Sequence, residues 1–506
     1  MEPHSCVNML AFALVLLCPL ASALANPISL YSSSTLTSCL CDNGLNFEVS
    51  HNSTWQTDTT PFNLRFHYTP TAIVYPTLTS DVVAAVKCAN EFGVHVSALS
   101  GGHSYSASGY GSRNGALVIM FRDMAQIKYN SSDATATIQP GARLGDVALE
   151  LNDNYDRAMA HGLCPYVGVG GHAGFGGWGL ASRNWGLLID QVVAADLVLA
   201  NGTAIHVSNS QHPDLFWAIR GASSSFGIVT QYIFQTHQAP ATVIRYAYGY
   251  ENPNLSADAF AKLLTSYQTW GLTAPKEIGI VANVLQGGKV VELGGYYMGN
   301  LSDFNRISDS LLHATGSAST VYVEERTWVA ALIEVGGGTP LSTIGKPDVH
   351  DTFFAKSLVT PTPSPLTYTS LATFASYFAH AQIPNTASWF VQFELWGGGN
   401  SVVSSIPANA TAYPHRNHLW TIQFYARSTT TWSTQGTEFV NGMVSAITDN
   451  MNGTPLGAYA NYIDPELAGW QSKYYAGNYA RLAAIQKEVD PRGVFMKAQN
   501  IGAPDL

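Results

Sequence analysis

Charged side chains are scarce in this chain: Asp, Glu, Lys and Arg make up 11% of its 506 residues, whereas apolar residues make up 46%. That balance excludes a disordered chain and predicts a densely packed globular protein. The net charge of −10, without a cluster of Lys or Arg, argues against nucleic acid or an anionic membrane as partner. A chain of this length is expected to form two domains.

The N-terminal segment lacks the Lys or Arg residues that usually precede the apolar core of a secretion signal. The rest of that pattern is present, because an apolar run covers residues 9–20 and Ala23 and Ala25 form a small-x-small cleavage site. The run is too short to span a bilayer. We therefore predict a signal peptide over 1–25 and a secreted, extracellular protein. Seven sequons fit a glycoprotein and begin at Asn52, Asn130, Asn201, Asn254, Asn300, Asn409 and Asn452.

Two glycine-rich stretches each present one reactive side chain. The first runs Ser100-Gly101-Gly102-His103-Ser104-Tyr105; the second begins His161-Gly162-Leu163-Cys164-Pro165 and continues through Gly168, Gly170, Gly171 and His172. Glycine lets backbone N–H groups approach a ligand closely. An imidazole and a thiolate are well suited to covalent attachment to a flavin ring, so the pair suggests a planar, anionic cofactor tethered at both residues. Taken singly, a loop histidine and a buried, inert cysteine are the ordinary interpretation.

Cysteine is also rare, with six in the chain. Cys6 and Cys18 fall within the predicted signal peptide. The remaining cysteines are Cys39, Cys41, Cys88 and Cys164. If Cys164 holds a cofactor, one disulfide can form in an oxidising compartment, either Cys39–Cys88 or Cys41–Cys88, although counting alone also allows two disulfides. The sequence shows no C-X-X-C after residue 25 and no histidine spacing typical of metal ligands, so we predict no metal site.

A third glycine pattern imitates a dinucleotide-binding fingerprint, because Gly168–Ala173 is followed by Asp190. That motif needs a strand before the glycines and a helix directly after them. Pro165 precedes the glycines here, and the glycine-rich residues 174–179 that follow disfavour a helix. We therefore reject a Rossmann fold.

Short strand patterns alternate with helices as far as residue 240, and longer strands follow. Expected strands cover 72–76, 94–99, 116–121, 134–139, 192–199, 227–234, 289–297 and 388–396. Expected helices cover 145–153, 257–270, 302–313 and 474–489, with one more capped by Ser80. Beyond Gln238-Ala239-Pro240 the pattern is typical of an antiparallel sheet with flanking helices. We predict an α+β protein.

The chain resembles the fungal branch of the berberine-bridge-enzyme-like flavoproteins, to which the gluco- and chito-oligosaccharide oxidases belong, in the vanillyl-alcohol-oxidase superfamily. The resemblance rests on the His103 and Cys164 motifs, on D-L-F-W-A-I-R-G at 214–221, and on Tyr459-Ala460-Asn461-Tyr462-Ile463-Asp464. It implies a two-lobed PCMH-type FAD-binding domain over 26–240 and a substrate domain over 241–456. A C-terminal segment over 457–506 would return to the FAD-binding domain.

The resemblance also implies bicovalent FAD, joined through His103 to the 8α-methyl group and through Cys164 to C6 of the ring. Further cofactor contacts are expected from the glycine-rich loops and one later strand. These residues are Ser100, Gly101, Gly102, Ser104, Gly168, Gly170, Gly171, His172, Gly177 and Ile228.

The chemistry that the resemblance implies is oxidation of the reducing-end C1 hydroxyl of a sugar to the lactone. A hydride passes to flavin N5 while a base takes the hydroxyl proton. Tyr462 matches the catalytic tyrosine, and Glu394 stands where the resembling oxidases carry an aspartate. A phenol with its ordinary pKa of about 10 needs such a neighbour to act as a base. The expected sugar contacts are Tyr105, Trp389, Gln392, Gln423 and Tyr459.

Several functions remain open from the sequence. An oxidase passing electrons to O2 with formation of H2O2 is favoured over an oligosaccharide dehydrogenase. Phenolic alcohols or alkaloid-like amines are alternative substrates, and a non-catalytic sugar-binding protein is the alternative of another class. Contacts within 277–285 are expected to choose among glucose, N-acetylglucosamine and xylose oligomers. We expect a monomer without membrane or nucleic-acid partners.

Overall fold

The computed structural model describes residues 35–251, 256–286, 290–363 and 365–504. The predicted signal peptide with Cys6 and Cys18, the sequon at Asn254 and the first residue of the strand expected at 289 lie outside the described residues. The described chain forms helices and three larger sheets, so the predicted α+β class is confirmed. Within the described ranges, no helix combines the length and apolar character needed to cross a membrane.

Two small sheets, a two-stranded pair of β7 with β11, and helices form the part of the chain that precedes residue 240. The helices are α1 (Leu36–Asp42), α2 (Trp55–Asp58), α3 (Thr79–Glu91), α4 (Leu144–Tyr155), α5 (Val169–Phe175), α6 (Ser182–Trp185), α7 (Leu188–Gln191) and α8 (Pro213–Ala222). The strands are β1 (Phe47–Glu48), β2 (Ala72–Val74), β3 (Val96–Leu99), β4 (Leu117–Met120), β5 (Ile127–Asn130), β6 (Thr135–Ile138), β7 (Arg157–Ala158), β8 (Val192–Val198), β9 (Ala204–Ser208), β10 (Ile228–Gln235) and β11 (His237–Gln238).

These sheets make two lobes. The first lobe has the strand order β1-β2-β4-β3, with β2, β4 and β3 parallel, and α3 packs Val82, Val86 and Ala89 into its core. The disulfide joins Cys39 rather than Cys41 to Cys88 and so ties α1 to α3. The second lobe is the antiparallel sheet β5-β6-β10-β8-β9.

One seven-stranded antiparallel sheet dominates the rest of the chain, in the order β15-β12-β14-β13-β17-β18-β16. Its strands are β12 (Thr242–Glu251), β13 (Ile278–Leu285), β14 (Val290–Tyr297), β15 (Thr320–Thr327), β16 (Thr352–Pro361), β17 (Ala387–Leu395) and β18 (His418–Ser428). Its helices are α9 (Ala257–Gly271), α10 (Leu301–Thr315), α11 (Trp328–Val335), α12 (Tyr368–His380), α13 (Val402–Ser405) and α14 (Thr434–Thr448). Helices α9, α10, α12 and α14 share one apolar core with one face of the sheet, which leaves the other face for the site.

The C-terminal segment, with α15 (Trp470–Tyr475) and α16 (Tyr479–Val489), returns to the two lobes. Trp470 and Leu482 are fully buried in the core of the second lobe, and the Val96 N–H donates to the carbonyl of Val494 in the first. The chain end therefore completes the two-lobed part of the protein.

Two local predictions were wrong. Ser80 lies inside α3, whose first turn is capped by the Asp81 carboxylate accepting from the N–H groups of Thr77 and Leu78. The glycine-rich residues 176–179 are not helical, as predicted, although the preceding helix α5 extends to Phe175 with Val169 and Ala173 buried against the second lobe. The helix expected over 474–489 is broken at Ala476, whose backbone has a positive φ of 43°. Rejection of a Rossmann fold does not depend on α5, because the second-lobe sheet is antiparallel.

Candidate functional site

A cavity of about 380 Å³ lies where the two lobes, the large sheet and the C-terminal segment meet. Its volume is within the range of small-molecule and cofactor sites. Both reactive residues, His103 and Cys164, line it, together with Tyr462 and Glu394. The other predicted residues on its wall are Ser100, Gly101, Gly102, Ser104, Tyr105, Gly168, Gly170, Gly171, His172, Ile228, Gln392, Gln423 and Tyr459.

The His103 ring is held on two sides. Phe62 stacks on it with ring centroids 4.2 Å apart and an interplanar angle of 21°. Its Nε2 lies 3.0 Å from Oδ1 of Asp348. Sequence reasoning missed both neighbours, because Asp348 is 245 residues away along the chain and carries no motif. The contacts fix the plane of the imidazole and direct its Nε2 toward Asp348.

The Cys164 loop leaves its thiol exposed at the cavity. Loss of surrounding solvent raises the pKa of the Cys164 thiol, whereas hydrogen bonds from the N–H groups of Tyr166 and Val167 lower it. The loop is held by His172, whose Nε2 accepts from the Gly162 N–H at 2.9 Å. Burial, reinforced by His161, lowers the pKa of His172 to about 3. The His172 imidazole is therefore a neutral acceptor that supports the loop.

The two glycine-rich loops meet backbone to backbone. A Cβ on Gly168 would lie 2.1 Å from the Gly101 nitrogen, and one on Gly101 would lie 2.3 Å from the Gly168 nitrogen. Ser100 locks the contact, because its hydroxyl donates to the Pro140 carbonyl and accepts from the Gly170 N–H. Only glycine permits this approach, and it brings the His103 and Cys164 loops to the same cavity.

Substitution of Gly168 by Ala is expected to lower the free energy of unfolding by about 3 kcal/mol, because the added methyl group meets main chain that cannot move aside. Gly171 provides a matched control in α5, the helix that follows Gly168 directly, since a Cβ there would have no atom within 4 Å. Gly171→Ala is expected to keep or slightly raise the Tm, given the higher helix propensity of alanine. Thermal unfolding of both variants checks this; equal Tm values would contradict the close approach of the loops.

Tyr462 and Glu394 form a hydrogen-bonded pair on the cavity wall. The Tyr462 hydroxyl donates to Glu394 Oε1 at 2.7 Å, and the Trp396 indole N–H donates to Oε2 at 2.8 Å. Glu394 is fully buried, and burial raises its pKa to about 8 against the opposing effect of both hydrogen bonds. Burial and the neighbouring Glu394 raise the pKa of Tyr462 well above its ordinary value. Such a pair can pass a proton from the cavity to a buried carboxylate.

A row of amide side chains crosses the cavity face of the large sheet. Gln423 Nε2 donates to the Tyr105 hydroxyl at 2.7 Å, and Gln392 Nε2 donates to Asn283 Oδ1 at 2.8 Å. Asn283, Gln392 and Gln423 occupy directly paired positions on β13, β17 and β18. Asn283 falls within the 277–285 segment that the sequence pointed to without naming a residue.

Trp389 is a correction to the predicted sugar contacts, because it packs in the helix-side core against Phe378 and Phe439. Successive strand residues face opposite sides, so Trp389 lies on the face opposite to Gln392. Its neighbour Phe390 lies on the cavity side of the sheet, stacked on Tyr425 at 5.0 Å.

Tyr459 and Gly177, predicted as a sugar contact and a cofactor contact, have different neighbours from those expected. Tyr459 is 2% exposed, and its hydroxyl accepts from the N–H of Gly177 at 2.8 Å and from Asn461 at 3.0 Å. This places its polar atom in internal bonds rather than in an open groove. Gly177 lies behind the wall, with a φ of 80° and Leu188 where a side chain would stand. Gly177 therefore shapes the chain under the cavity instead of contacting its contents.

The residues present fit a bound FAD. The glycine cradle brings main-chain N–H groups to the cavity, which suits the anionic parts of a dinucleotide. Two nucleophiles, the His103 imidazole and the Cys164 thiol, reach the same space, and aromatic and amide groups form the opposite wall. The fold and this site together define an FAD-binding oxidoreductase.

Comparison with known proteins gives the family. Residues 70–208 match the FAD binding domain family, and residues 458–502 match the berberine and berberine-like family. The chain is 34% identical to the glucooligosaccharide oxidase of Sarocladium strictum, over 91% of this chain and 93% of the relative. It is 37% identical to the xylooligosaccharide oxidase of Thermothelomyces thermophilus, over 90% and 91%.

A solved structure of the glucooligosaccharide oxidase from Acremonium strictum, described as carrying a 6-S-cysteinyl, 8α-N1-histidyl FAD, superposes with a TM-score of 0.87. It is 33% identical and covers 92% of this chain and 99% of its own. The chain belongs to the berberine-bridge-enzyme-like FAD-linked oxidoreductases, in the branch that contains these oligosaccharide oxidases.

Proposed function

We propose that this protein oxidises the reducing-end C1 hydroxyl of oligosaccharides to the lactone, with FAD as the cofactor and O2 as the electron acceptor. The observation that carries the proposal is the Tyr462–Glu394 pair, which faces the cavity lined by His103 and Cys164. The oligosaccharide oxidases among the relatives support the substrate class and the acceptor.

Tyr462 is proposed as the base that takes the proton of the sugar hydroxyl. Because its own proton is already directed at Glu394 Oε1, a lone pair of the phenol oxygen remains for the incoming hydroxyl. The proton received from the sugar and the proton passed to Glu394 can then move together, so the phenolate need not accumulate. When bound, FAD accepts the hydride from the sugar C1.

Glu394 is proposed as the final acceptor of that proton. A carboxylate with a pKa near 8 takes up a proton more readily than one at its ordinary value, and the Trp396 N–H holds its second oxygen in place. The chain uses the longer Glu where the resembling oxidases carry Asp, and it positions the carboxylate within hydrogen-bond distance of the phenol.

Sugar contacts are proposed for Tyr105, Gln392 and Gln423, with Phe390 in place of Trp389. Aromatic faces pack on the apolar face of a pyranose ring, and amides bind its hydroxyl groups. Gln392 is oriented by Asn283, so a change at Asn283 would alter which hydroxyl pattern Gln392 can accept.

Bicovalent attachment is proposed through His103 to the 8α-methyl group and through Cys164 to C6 of the flavin. Both side chains line the cavity, and the Acremonium strictum relative carries one histidyl and one cysteinyl bond to its FAD. Two tethers would prevent loss of the cofactor and leave one edge of the ring open to long oligosaccharides.

The domain boundaries and the extracellular location of the protein are also proposals. The limits are 26–240 for the FAD-binding domain, 241–456 for the substrate domain and 457–506 for the returning segment. Secretion with glycosylation is supported by the exposed sequon residues, which are Asn130, Asn201, Asn300, Asn409 and Asn452.

The test of the proposed activity is the visible flavin spectrum of the purified protein, mixed without air with cello-, chito- or xylo-oligosaccharides and then exposed to air. Bleaching by one series identifies the substrate class, and rapid return of colour with H2O2 shows an oxidase. Slow return in air would instead indicate an oligosaccharide dehydrogenase. If no sugar bleaches the flavin, the proposed substrate class is wrong and phenolic alcohols or alkaloid-like amines are tested next.

Covalent attachment at both His103 and Cys164 leads to a separate prediction for the Cys164→Ala variant. FAD is expected to stay attached through His103, so the denatured protein should remain fluorescent after free flavin is removed. His103→Ala is the matched variant, in which Cys164 alone holds the ring. Complete release of FAD from the Cys164→Ala protein would show that His103 is not a tether.

A further inference from the structure

The segment between α11 and β16 runs along both lobes and reaches the two proposed tethers. The Asp146 carboxylate at the start of α4 accepts from the N–H of Thr343 at 2.9 Å. Further along, the Asp351 N–H donates to the Phe62 carbonyl at 2.8 Å, beside the ring that stacks on His103. Between these anchors the segment presents Asp348 to the His103 loop.

Asp348 connects the His103 loop to the Cys164 loop. Its Oδ1 lies 3.0 Å from His103 Nε2, and its Oδ2 accepts from Arg143 at 2.7 Å. The same Arg143 nitrogen donates to the carbonyl of Tyr166 at 2.7 Å, two residues beyond Cys164. One carboxylate therefore holds both loops in register, and nothing in the proposed sugar chemistry uses it.

The carboxylate of Asp348 is ionised. Burial alone would raise its pKa, but the hydrogen bond from His103 and the charge of Arg143 lower the pKa below its ordinary value. An ionised carboxylate at Nε2 makes that nitrogen the proton-bearing one. The proton of a neutral imidazole cannot then be on Nδ1, which is left with its lone pair. No described residue forms a hydrogen bond with Nδ1 of His103.

We propose that Asp348 is a positioning residue for the covalent attachment of FAD to His103. Its carboxylate holds the Nε2–H and thereby presents Nδ1 to the cavity as the nitrogen that attacks the flavin. It also stabilises the positive charge that develops on the imidazole during attack. This inference rests on the proposed function, because it requires the His103 tether.

Attachment of FAD to His103 is a two-electron oxidation of the 8α-methyl group. A bond forms between Nδ1 and the 8α carbon, one C–H bond of the methyl group breaks, and the imidazole gives up its Nε2 proton with Asp348 as the nearest acceptor. The electron pair of the broken C–H bond stays on the ring system, which is reduced by two electrons. O2, the acceptor of the proposed oxidase reaction, takes these electrons and two protons to give H2O2, and oxidised, attached FAD remains.

The experiment measures covalent flavin in the Cys164→Ala background, where His103 is the sole tether. The full-length variants are incubated with FAD in air and denatured at intervals, and the flavin that stays with the protein is quantified by fluorescence. Adding Asp348→Ala is expected to slow attachment roughly 10- to 100-fold. FAD released on denaturation shows that the cofactor still binds.

Two substitutions separate charge from packing. Asp348→Glu keeps a carboxylate and is expected to restore part of the attachment rate. Asp348→Asn keeps an acceptor oxygen but loses the charge, and is expected to stay slow. Asp146→Ala is the matched control, because it removes the hydrogen bond that holds the same segment at Thr343, and Asp146 does not contact His103. This variant is expected to attach FAD as fast as the Cys164→Ala background protein.

Three results would contradict the proposed role of Asp348 or the His103 tether. Attachment at the background rate in Asp348→Ala or Asp348→Asn would overturn the proposal. Equal slowing by Asp146→Ala would also overturn it, because docking of the segment would then explain the effect. Absence of covalent flavin from Cys164→Ala alone would overturn the His103 tether, and with it the proposed mode of cofactor binding.

Discussion

Replacing Tyr462 by Phe is expected to lower the rate of anaerobic flavin reduction by oligosaccharide about 10³- to 10⁴-fold, while the protein remains yellow and binds sugar. The reason is that, among the described residues that line the cavity, the Tyr462 hydroxyl alone is hydrogen-bonded to the buried Glu394 carboxylate. Stopped-flow measurement of the reduction rate at saturating sugar separates this effect from a change in affinity.

Tyr459→Phe is the matched control for Tyr462→Phe. The two rings pack edge to face with centroids 5.1 Å apart, but the Tyr459 hydroxyl is bonded to the Gly177 N–H instead of Glu394. We expect Tyr459→Phe to lose stability, about 1–3 kcal/mol for a buried donor left without its acceptor, and to keep most of its reduction rate. If Tyr462→Phe were reduced as fast as the parent protein, Tyr462 would not be the base.

The second large effect is a dependence on pH that Glu394 controls. The limiting reduction rate is expected to rise as the pH passes through about 8, because only the ionised carboxylate can accept the Tyr462 proton. Glu394→Gln cannot accept that proton, and its rate is expected to fall about 10²- to 10³-fold and to lose the rise near pH 8. Rates measured from pH 5 to about 10 would check both points.

Ionisation of Glu394 also lowers the stability of the folded protein as the pH rises. The folded pKa of Glu394 is raised from 4.5 to about 8, so folding favours the protonated form. Its contribution is fully present below pH 4.5 and is lost as the pH rises through about 8, and each pKa unit is worth about 1.4 kcal/mol. Glu394→Gln should therefore gain Tm relative to the parent as the pH rises. A Tm difference that does not change with pH would show that Glu394 is not a buried, neutral acid below pH 8.

Reactive residues that lie within short sequence motifs could be predicted from the sequence. His103 and Cys164 stand out because glycines surround each of them, and the structure places both on one cavity. In the large sheet and its helices, hydrophobic periodicity located β14, β17, α9 and α10, since burial on one face imposes it. Helix propensity alone disfavours α5, which contains three glycines, but burial of Val169 and Ala173 stabilises it.

Strand register decided which aromatic residue can meet a sugar. The sequence analysis named Trp389 as a sugar contact, and a shift of one residue exchanges the two faces of a strand. The pairing of β17 with β13 and β18 directs Trp389 to the helices and Phe390 to the cavity side. The alternation along β17 agrees with this, because Val391 and Phe393 share the face of Trp389, whereas Gln392 shares the face of Phe390.

The sequence by itself determined the α+β class, the two reactive residues and the Tyr462–Glu394 pairing, because each depends on a local pattern or on a motif shared with relatives. Only the tertiary structure decided that Cys39 rather than Cys41 bonds to Cys88, and that Asp348 and Phe62 hold the His103 ring. These contacts join residues far apart in the chain. Their partners are chosen by the packing of whole lobes, which no short stretch of sequence encodes.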